Sequence, residues 1–263
     1  MRHFALIGTS LTHSYSKSLF DAQHFADADY SLCAMTSLND LRGWVEREHI
    51  DGFNVTAPFK QAVVPLLNEL TPEAQAIGAV NCVVVKEKLL IGHNTDAPAF
   101  QQTLQTLLQS SNPARTQEAA LRSDKKNHLS EKTIEQSFIL GTGGAAHAVA
   151  YALKQLGIPF HFVSRQPELH PNAISYAQFS TSNFQLPTLI INATPVGTYP
   201  DINATPLPAV FSILDSQFVY DLVYNPSPTL LLRQAAQHGA YTKDGLEMLR
   251  LQAEMSWKIW GLV

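Results

Sequence analysis

Short apolar runs, broken by glycine, proline and polar clusters, recur along the chain. Phe4-Ala5-Leu6-Ile7-Gly8 is an apolar run ending in glycine, which suits a buried parallel strand. A helix is expected within Ser18 to Phe25, and a second strand over Tyr30-Ser31-Leu32-Cys33-Ala34-Met35. Leu38 to Glu48 has helical spacing, with Leu41, Trp44 and Val45 on one face. Gly52-Phe53-Asn54-Val55 predicts a short strand that Pro58 terminates, followed by a helix offering Val63, Val64, Leu66 and Leu67 to a core. Ala79 to Val85 and Leu89 to Gly92 predict two strands joined by a hairpin around Glu87. A further helix is expected to begin near Ala97-Pro98.

From Ser110 to Gln136 the pattern lapses into polar residues, as in a linker or surface insertion, with a short helix expected around Thr116 to Leu121. Alternation then resumes. Phe138-Ile139-Leu140 is a strand, Ala145 to Leu156 a helix and Phe160-His161-Phe162-Val163 a strand. Leu189-Ile190-Ile191-Asn192 and Phe218-Val219-Tyr220-Asp221-Leu222 predict two more strands. Gly245 to Trp260 is helical, with Leu246, Leu249, Ala253, Trp257 and Trp260 forming an apolar face. Strands alternating with helices point to α/β architecture.

Composition narrows the function classes. The 263 residues allow one large domain or two modest ones. Only 15% are charged and the net charge is −4, so there is no basic face for nucleic acid or an anionic membrane. No stretch approaches the length of a membrane span, and the N-terminal apolar run is too short for a signal peptide. The two cysteines, Cys33 and Cys82, form no C-x-x-C, which leaves no disulfide framework and no cysteine zinc site. Reduced thiols fit a cytoplasmic protein.

Gly141-Thr142-Gly143-Gly144-Ala145-Ala146 follows a strand and opens a helix, giving the pattern G-x-G-x-x-A. Gly141 allows the tight turn, Gly143 lets a pyrophosphate approach the backbone, and Ala146 lets helix and strand pack closely. NAD enzymes place a carboxylate at the end of the next strand; here Ser164 and Arg165 stand there, which favours NADP over NAD, although Arg165 taken alone is equally read as a solvated surface residue. In the first half, Asn54-Val55-Thr56-Ala57-Pro58-Phe59-Lys60 puts an amide, a hydroxyl and an ammonium at a strand-to-helix corner. An exposed lysine is a poor acid–base group at neutral pH, whereas a partly buried one can donate a proton or stabilise an oxyanion. Asp96 can orient a substrate hydroxyl or pair with Lys60; alternatively it caps the helix that follows. His13-Ser14-Tyr15-Ser16 offers two hydroxyls suited to a carboxylate, or is a loop feeding the next helix. His13 is expected to be structural, and His147 has no ligand-spaced partner.

Together these segments resemble the shikimate dehydrogenase family nearly end to end. The resemblance is carried by the stretches just quoted, by Gly78-Ala79-Val80-Asn81 and Asn94-Thr95-Asp96, and by Asn192-Ala193-Thr194-Pro195-Val196-Gly197. Asp221-Leu222-Val223-Tyr224-Asn225-Pro226 and the run Gly245 to Ala253 complete it. It implies an α/β fold of two domains with the active site in the cleft between them. An N-terminal substrate domain would comprise residues 1–100 plus 240–263, and a Rossmann-type NADP-binding domain residues 101–239. The implied reaction is reversible reduction of 3-dehydroshikimate by NADPH to shikimate. Lys60 and Asp96 would form the catalytic pair, with Ser14 and Ser16 holding the substrate carboxylate. Thr56, Asn81, Tyr224 and Gln252 would complete the polyol contacts. Gly141, Thr142, Gly143, Gly144 and Ala145 would wrap the pyrophosphate, Ser164 and Arg165 would meet the adenosine ribose and its phosphate, and Leu222 and Gly245 would lie near the nicotinamide. No metal is implied, and the enzyme would act as a monomer or homodimer on a small-molecule substrate.

The chain departs from the family pattern in places. Tyr15, Lys17, Cys82, Ala99, Pro195 and Thr198 replace the usual residues, and Gln166-Pro167-Glu168-Leu169 follows Arg165 where basic residues usually continue. Two other functions compete: a quinate/shikimate dehydrogenase of mixed specificity, and a dinucleotide-binding regulator without catalysis. Kinetics on both polyols separate the first. Retention of Lys60 and Asp96 stands against the second, since a sensor would need the glycine loop but not that pair.

Overall fold

The computed structural model describes residues 1–12, 14–110, 134–181, 187–208, 211–215 and 217–263. His13, nearly all of the polar 110–136 stretch and its expected helix lie outside the described residues. The chain divides into two compact units, one of Met1–Ala99, Gly143–Tyr151 and Glu247–Val263, the other of Phe100–Thr142 and Ala152–Leu246. Both are α/β.

The first unit is built on a six-stranded sheet. Its strands are β1 (Arg2–Gly8), β2 (Ala28–Ala34), β3 (Ile50–Val55), β4 (Glu69–Leu70), β5 (Cys82–Lys86) and β6 (Leu89–His93), in the order β2-β1-β3-β5-β6-β4. β1 pairs in parallel with β2 and β3, while β3, β5 and β6 are antiparallel neighbours. The unbroken apolar run of β1 follows from burial on both faces. Ala5 and Ile7 pack with Phe53, Val55, Leu41 and Val45 on one side. Phe4 and Leu6 pack with Phe20, Trp257 and Trp260 on the other. Adjacent strand residues point to opposite faces, so a strand covered twice has no polar side. The C-terminal helix, Leu246–Ile259, thus seals the sheet begun by the first eight residues. Trp260 stacks on Phe4 with ring centroids 4.5 Å apart, and its indole N–H donates to the Val83 carbonyl at 3.0 Å. Gly52 leaves room for that indole; a Cβ there would run into the Trp260 ring.

The second unit holds β7 (Gln136–Leu140), β8 (Phe160–Ser164), β9 (Ala173–Ser175), β10 (Thr188–Asn192), β11 (Phe218–Asp221) and β12 (Tyr241–Lys243). All pairs are parallel, in the order β12-β11-β10-β7-β8-β9. Read from β9, this is the 3-2-1-4-5-6 order of dinucleotide-binding sheets. The chain reverses its direction of growth between β7 and β10, where such sheets bind ligands beyond the strand C-termini.

The helix expected after Pro58 is shorter than its apolar pattern. It runs Phe59–Ala62 and gives way to a 3-10 turn at Val64–Leu66. Pro65 lacks an N–H and its ring would clash with the carbonyl four residues back, so the α-helix cannot continue. Three helices escaped the periodicity: Pro72–Ile77, Tyr176–Ser180 and Leu230–Gln237. Each is short, and each is announced by its cap. Thr71, Ser175 and Thr229 accept the backbone N–H of Ala74, Gln178 and Leu232, respectively.

Candidate active site

In the first unit Lys60 enters from the first turn after β3, and Asp96 opens the helix Asp96–Ser110 directly after β6. The Lys60 ammonium donates to Asp96 Oδ2 at 2.6 Å. The two side chains are 16% and 6% exposed, so the pair is largely desolvated. Such a pair needs further hydrogen bonds to offset lost hydration. Asn81 supplies one, its amide donating to Asp96 Oδ1 at 3.0 Å. The same amide faces Thr95 Oγ1 at 2.8 Å and Gln252 Oε1 at 3.2 Å, while Asn81 Oδ1 accepts the Thr95 N–H at 2.7 Å.

The competing role for Asp96, as a helix cap, is taken by another residue. Asn94 Oδ1 accepts the Ala97 N–H at 3.1 Å. The Asp96 carboxylate is thereby left to face Lys60 and Asn81, and an anion in the first turn is also favoured by the helix dipole.

The remaining first-unit positions occupy neighbouring strand ends. Thr56 follows β3, with its N–H on the Ile7 carbonyl at 2.9 Å, and a Cβ on Gly8 would strike its methyl group. Ser14 and Ser16 lie on the loop leaving β1, where Ser14 Oγ accepts the Ser16 N–H at 3.3 Å. Ser16 begins the helix Ser16–Asp21. The structure therefore joins Lys60, Asp96, Asn81 and Gln252 in one hydrogen-bonded group, and sets Thr56, Ser14 and Ser16 on the loops after β3 and β1. His147 is structural: its Nδ1 meets the Ile77 carbonyl at 3.3 Å and its Nε2 meets Gln61 at 3.4 Å. Cys82 is fully buried, and burial pushes its thiol up to about 12, which removes it as a nucleophile.

The glycine turn after β7 has the backbone form that suits a pyrophosphate. Gly141 adopts φ +103°, a conformation that favours glycine, against Thr194 and the Ala193 carbonyl. Gly143 is exposed with open space where a Cβ would stand, so only glycine keeps the backbone approachable. Gly144 and Ala145 begin the helix Gly144–Gln155, whose first N–H groups have no intrahelical acceptor and face an anion well. Thr142 Oγ1 lies 3.1 Å from His170 Nε2. Ser164 ends β8 with its hydroxyl accepting the Gln166 N–H at 3.1 Å, and Arg165 beside it is exposed. Leu222 and Gly245 touch, since a Cβ on Gly245 would collide with the Leu222 carbonyl. Tyr224 follows in the same loop.

Asp221 has a structural role that its sequence motif does not disclose. It is fully buried at the end of β11 and accepts from Thr229, Asn192 and the Val223 N–H at 2.7, 2.9 and 3.0 Å. Burial raises its carboxyl from an ordinary 3.8 to about 6 despite these donors. The group fixes the loop carrying Leu222 and Tyr224. Asn54, Thr95, Tyr30 and Ser256 were likewise missed as supports of Asn81; the available signal was polar side chains inside otherwise apolar runs. Among the described residues no cluster of His, Cys, Asp or Glu could hold a metal ion, and no helix is long and apolar enough to cross a membrane.

Known proteins resemble this chain in sequence and in fold. Residues 6–83 match the family model for the shikimate dehydrogenase substrate binding domain. The shikimate dehydrogenase (NADP(+)) of Nostoc sp. is 37% identical over 226 residues, covering 80% of this chain and 71% of its own. That of Bacillus cereus is 31% identical over 275 residues, covering 98% and 91%. Among solved structures, shikimate 5-dehydrogenase of Thermus thermophilus in complex with NADP(H) and shikimate superposes with a TM-score of 0.77 at 31% identity, over 99% of this chain and 93% of that one. Shikimate dehydrogenase 1 of Peptoclostridium difficile gives 0.80 at 30% identity, over 99% and 92%. With a relative 37% identical over 71% of its length and another 31% identical over 91%, the chain belongs to the shikimate dehydrogenase family.

Proposed function

We infer that this protein is an NADP-dependent shikimate dehydrogenase, an oxidoreductase acting on a CH–OH group. It reduces 3-dehydroshikimate reversibly to shikimate on the route to chorismate and the aromatic amino acids. The observation that carries the reading is the buried Lys60–Asp96 pair at 2.6 Å, braced by Asn81.

NADPH, when bound, supplies the hydride that adds to the ketone carbon. As that bond forms, charge grows on the ketone oxygen. The Lys60 ammonium stabilises this charge and donates the proton that completes the hydroxyl. Asp96 keeps Lys60 oriented and accepts a hydrogen bond from the neighbouring substrate hydroxyl. Asn81, Gln252, Thr56 and Tyr224 align the ring through its other polar groups, and Ser14 and Ser16 donate to its carboxylate. In the reverse direction Lys60, having lost a proton to solvent, takes the hydroxyl proton. Gly141 to Ala145 would hold the pyrophosphate, Ser164 and Arg165 the adenosine ribose and its phosphate, and Leu222 and Gly245 would lie near the nicotinamide. The substrate-binding role falls to residues 1–100 with 240–263 and the NADP-binding role to residues 101–239. The enzyme works in the cytoplasm as a monomer or homodimer.

Steady-state turnover tests the assignment, with shikimate or quinate offered together with NADP or NAD. Rapid NADP reduction with shikimate is expected. No turnover with any of the four pairs, or a clear preference for quinate, would overturn it.

A further inference from the structure

A set of buried polar side chains supports Asn81 and Gln252 without entering the reaction just described. Ser256 is fully buried in the C-terminal helix and donates its hydroxyl proton to the Gln252 carbonyl one turn earlier, at 2.9 Å. The same oxygen accepts one amide proton of Asn54 at 2.9 Å. The other Asn54 proton goes to the Asn81 carbonyl at 3.1 Å, and Asn54 Oδ1 accepts from the Tyr30 hydroxyl at 2.9 Å. Ser256 Oγ also stands 3.5 Å from Thr95 Oγ1, the residue before Asp96, and beside the thiol of Cys82, the residue after Asn81.

A hydroxyl in this place is not explained by packing. The helix face that carries Ser256 buries Ala253, Trp257 and Trp260 in an apolar cluster. Alanine would fill the position with better helix propensity, but it would leave the buried Asn54 N–H without the acceptor that Ser256 Oγ supplies. What the hydroxyl adds is a link. It ties the backbone of Gln252 to the Asn54 amide, and that amide ties on to the peptide of Asn81. The side chains of Gln252 and Asn81 meet at 3.2 Å on the other side of that link.

We propose that Ser256 is a positioning residue for the dehydrogenase reaction, acting through Asn54 to hold Asn81 and Gln252 in register with the Asp96–Lys60 pair. The proposal rests on the functional assignment above. Because the linked groups face the polyol and not the dinucleotide, loss of the hydroxyl must show in the shikimate constants alone.

Ser256→Ala and Ser256→Cys test this. The second keeps the side-chain shape at a slightly larger volume but offers sulfur, a weak acceptor, and is kept reduced because Cys82 lies beside it. Each variant is assayed well below its unfolding temperature, with NADP binding measured separately by fluorescence on the same samples. Expected is a fall in kcat/KM for shikimate of about tenfold, the worth of one lost hydrogen bond, with kcat down, KM for shikimate up and the Kd for NADP unchanged. Should Ser256→Ala fail to fold, Ser256→Cys decides. Wild-type kcat and KM in either folded variant, whatever its melting temperature, would overturn the proposal, as would equal weakening of shikimate and NADP. A wild-type enzyme that does not turn over shikimate would instead strike the functional assignment itself.

Discussion

Arg165 is exposed at the end of β8 and the Ser164 hydroxyl accepts the Gln166 N–H, so the guanidinium is the group we propose to meet a ribose phosphate. It can pair with phosphate through two hydrogen bonds, which a ribose hydroxyl cannot match. Arg165→Ala should raise KM for NADP and leave NAD nearly untouched, and the gap should narrow at high ionic strength because the contact is solvated. Equal weakening of both cofactors would remove Arg165 from this role. Ser14 and Ser16 sit on one short loop, tied by a 3.3 Å bond from the Ser16 N–H to Ser14 Oγ. A hydrogen bond to a charged group is worth roughly 1.5–3 kcal/mol. Ser14→Ala and Ser16→Ala should each raise KM for shikimate about tenfold or more, with kcat little changed. Normal substrate binding in both would place the carboxylate elsewhere. The sequence offers these residues as candidates because a loop of hydroxyls and an arginine in place of a carboxylate carry their chemistry locally. It does not offer Asn94 as the cap, because a cap and a catalytic carboxylate look alike until a distance separates them.

At the scale of elements, the apolar strands and long helices were legible from periodicity; the short edge strands Glu69–Leu70, Ala173–Ser175 and Tyr241–Lys243 were not, and the short capped helices are signalled only by their capping residues. The Asp221 cluster shows what neither signal reveals. A strand-end carboxylate looks solvated in sequence, yet it is fully buried with three donors and its carboxyl is pushed up to about 6. The folded state then holds a proton more tightly than the unfolded chain. This contribution to stability is fully present below about pH 4, falls as pH rises to about 6, and stays level above it. Asp221→Asn keeps an oxygen for Val223 and Asn192 and removes the titration. In urea unfolding at pH 4, 5, 6 and 7, wild type should lose stability relative to the variant between pH 4 and 6, and run parallel to it at higher pH. Parallel curves throughout would mean that burial does not raise this carboxyl.

For the whole molecule, the α/β class and the parallel dinucleotide-binding sheet follow from strand–helix alternation and the glycine turn. What the sequence hides is closure over long separations. Asn54 and Ser256 are bonded across 202 residues, and Trp260 covers a sheet begun by β1 at the opposite end of the chain. Such contacts leave no local pattern, since each partner alone is an ordinary polar or aromatic residue on a buried face. The Lys60–Asp96 pair is an intermediate case, because each residue was a candidate and the fold brings them into contact. A double-mutant cycle on kcat/KM for shikimate with NADP, using Lys60→Ala, Asp96→Asn and both, tests that unity most directly. Each single change should cost on the order of 10² or more, with cofactor binding and unfolding temperature near those of wild type, and the double variant should be no worse than the weaker single. Losses that multiply, or a Lys60→Ala enzyme with unchanged kcat, would contradict the account.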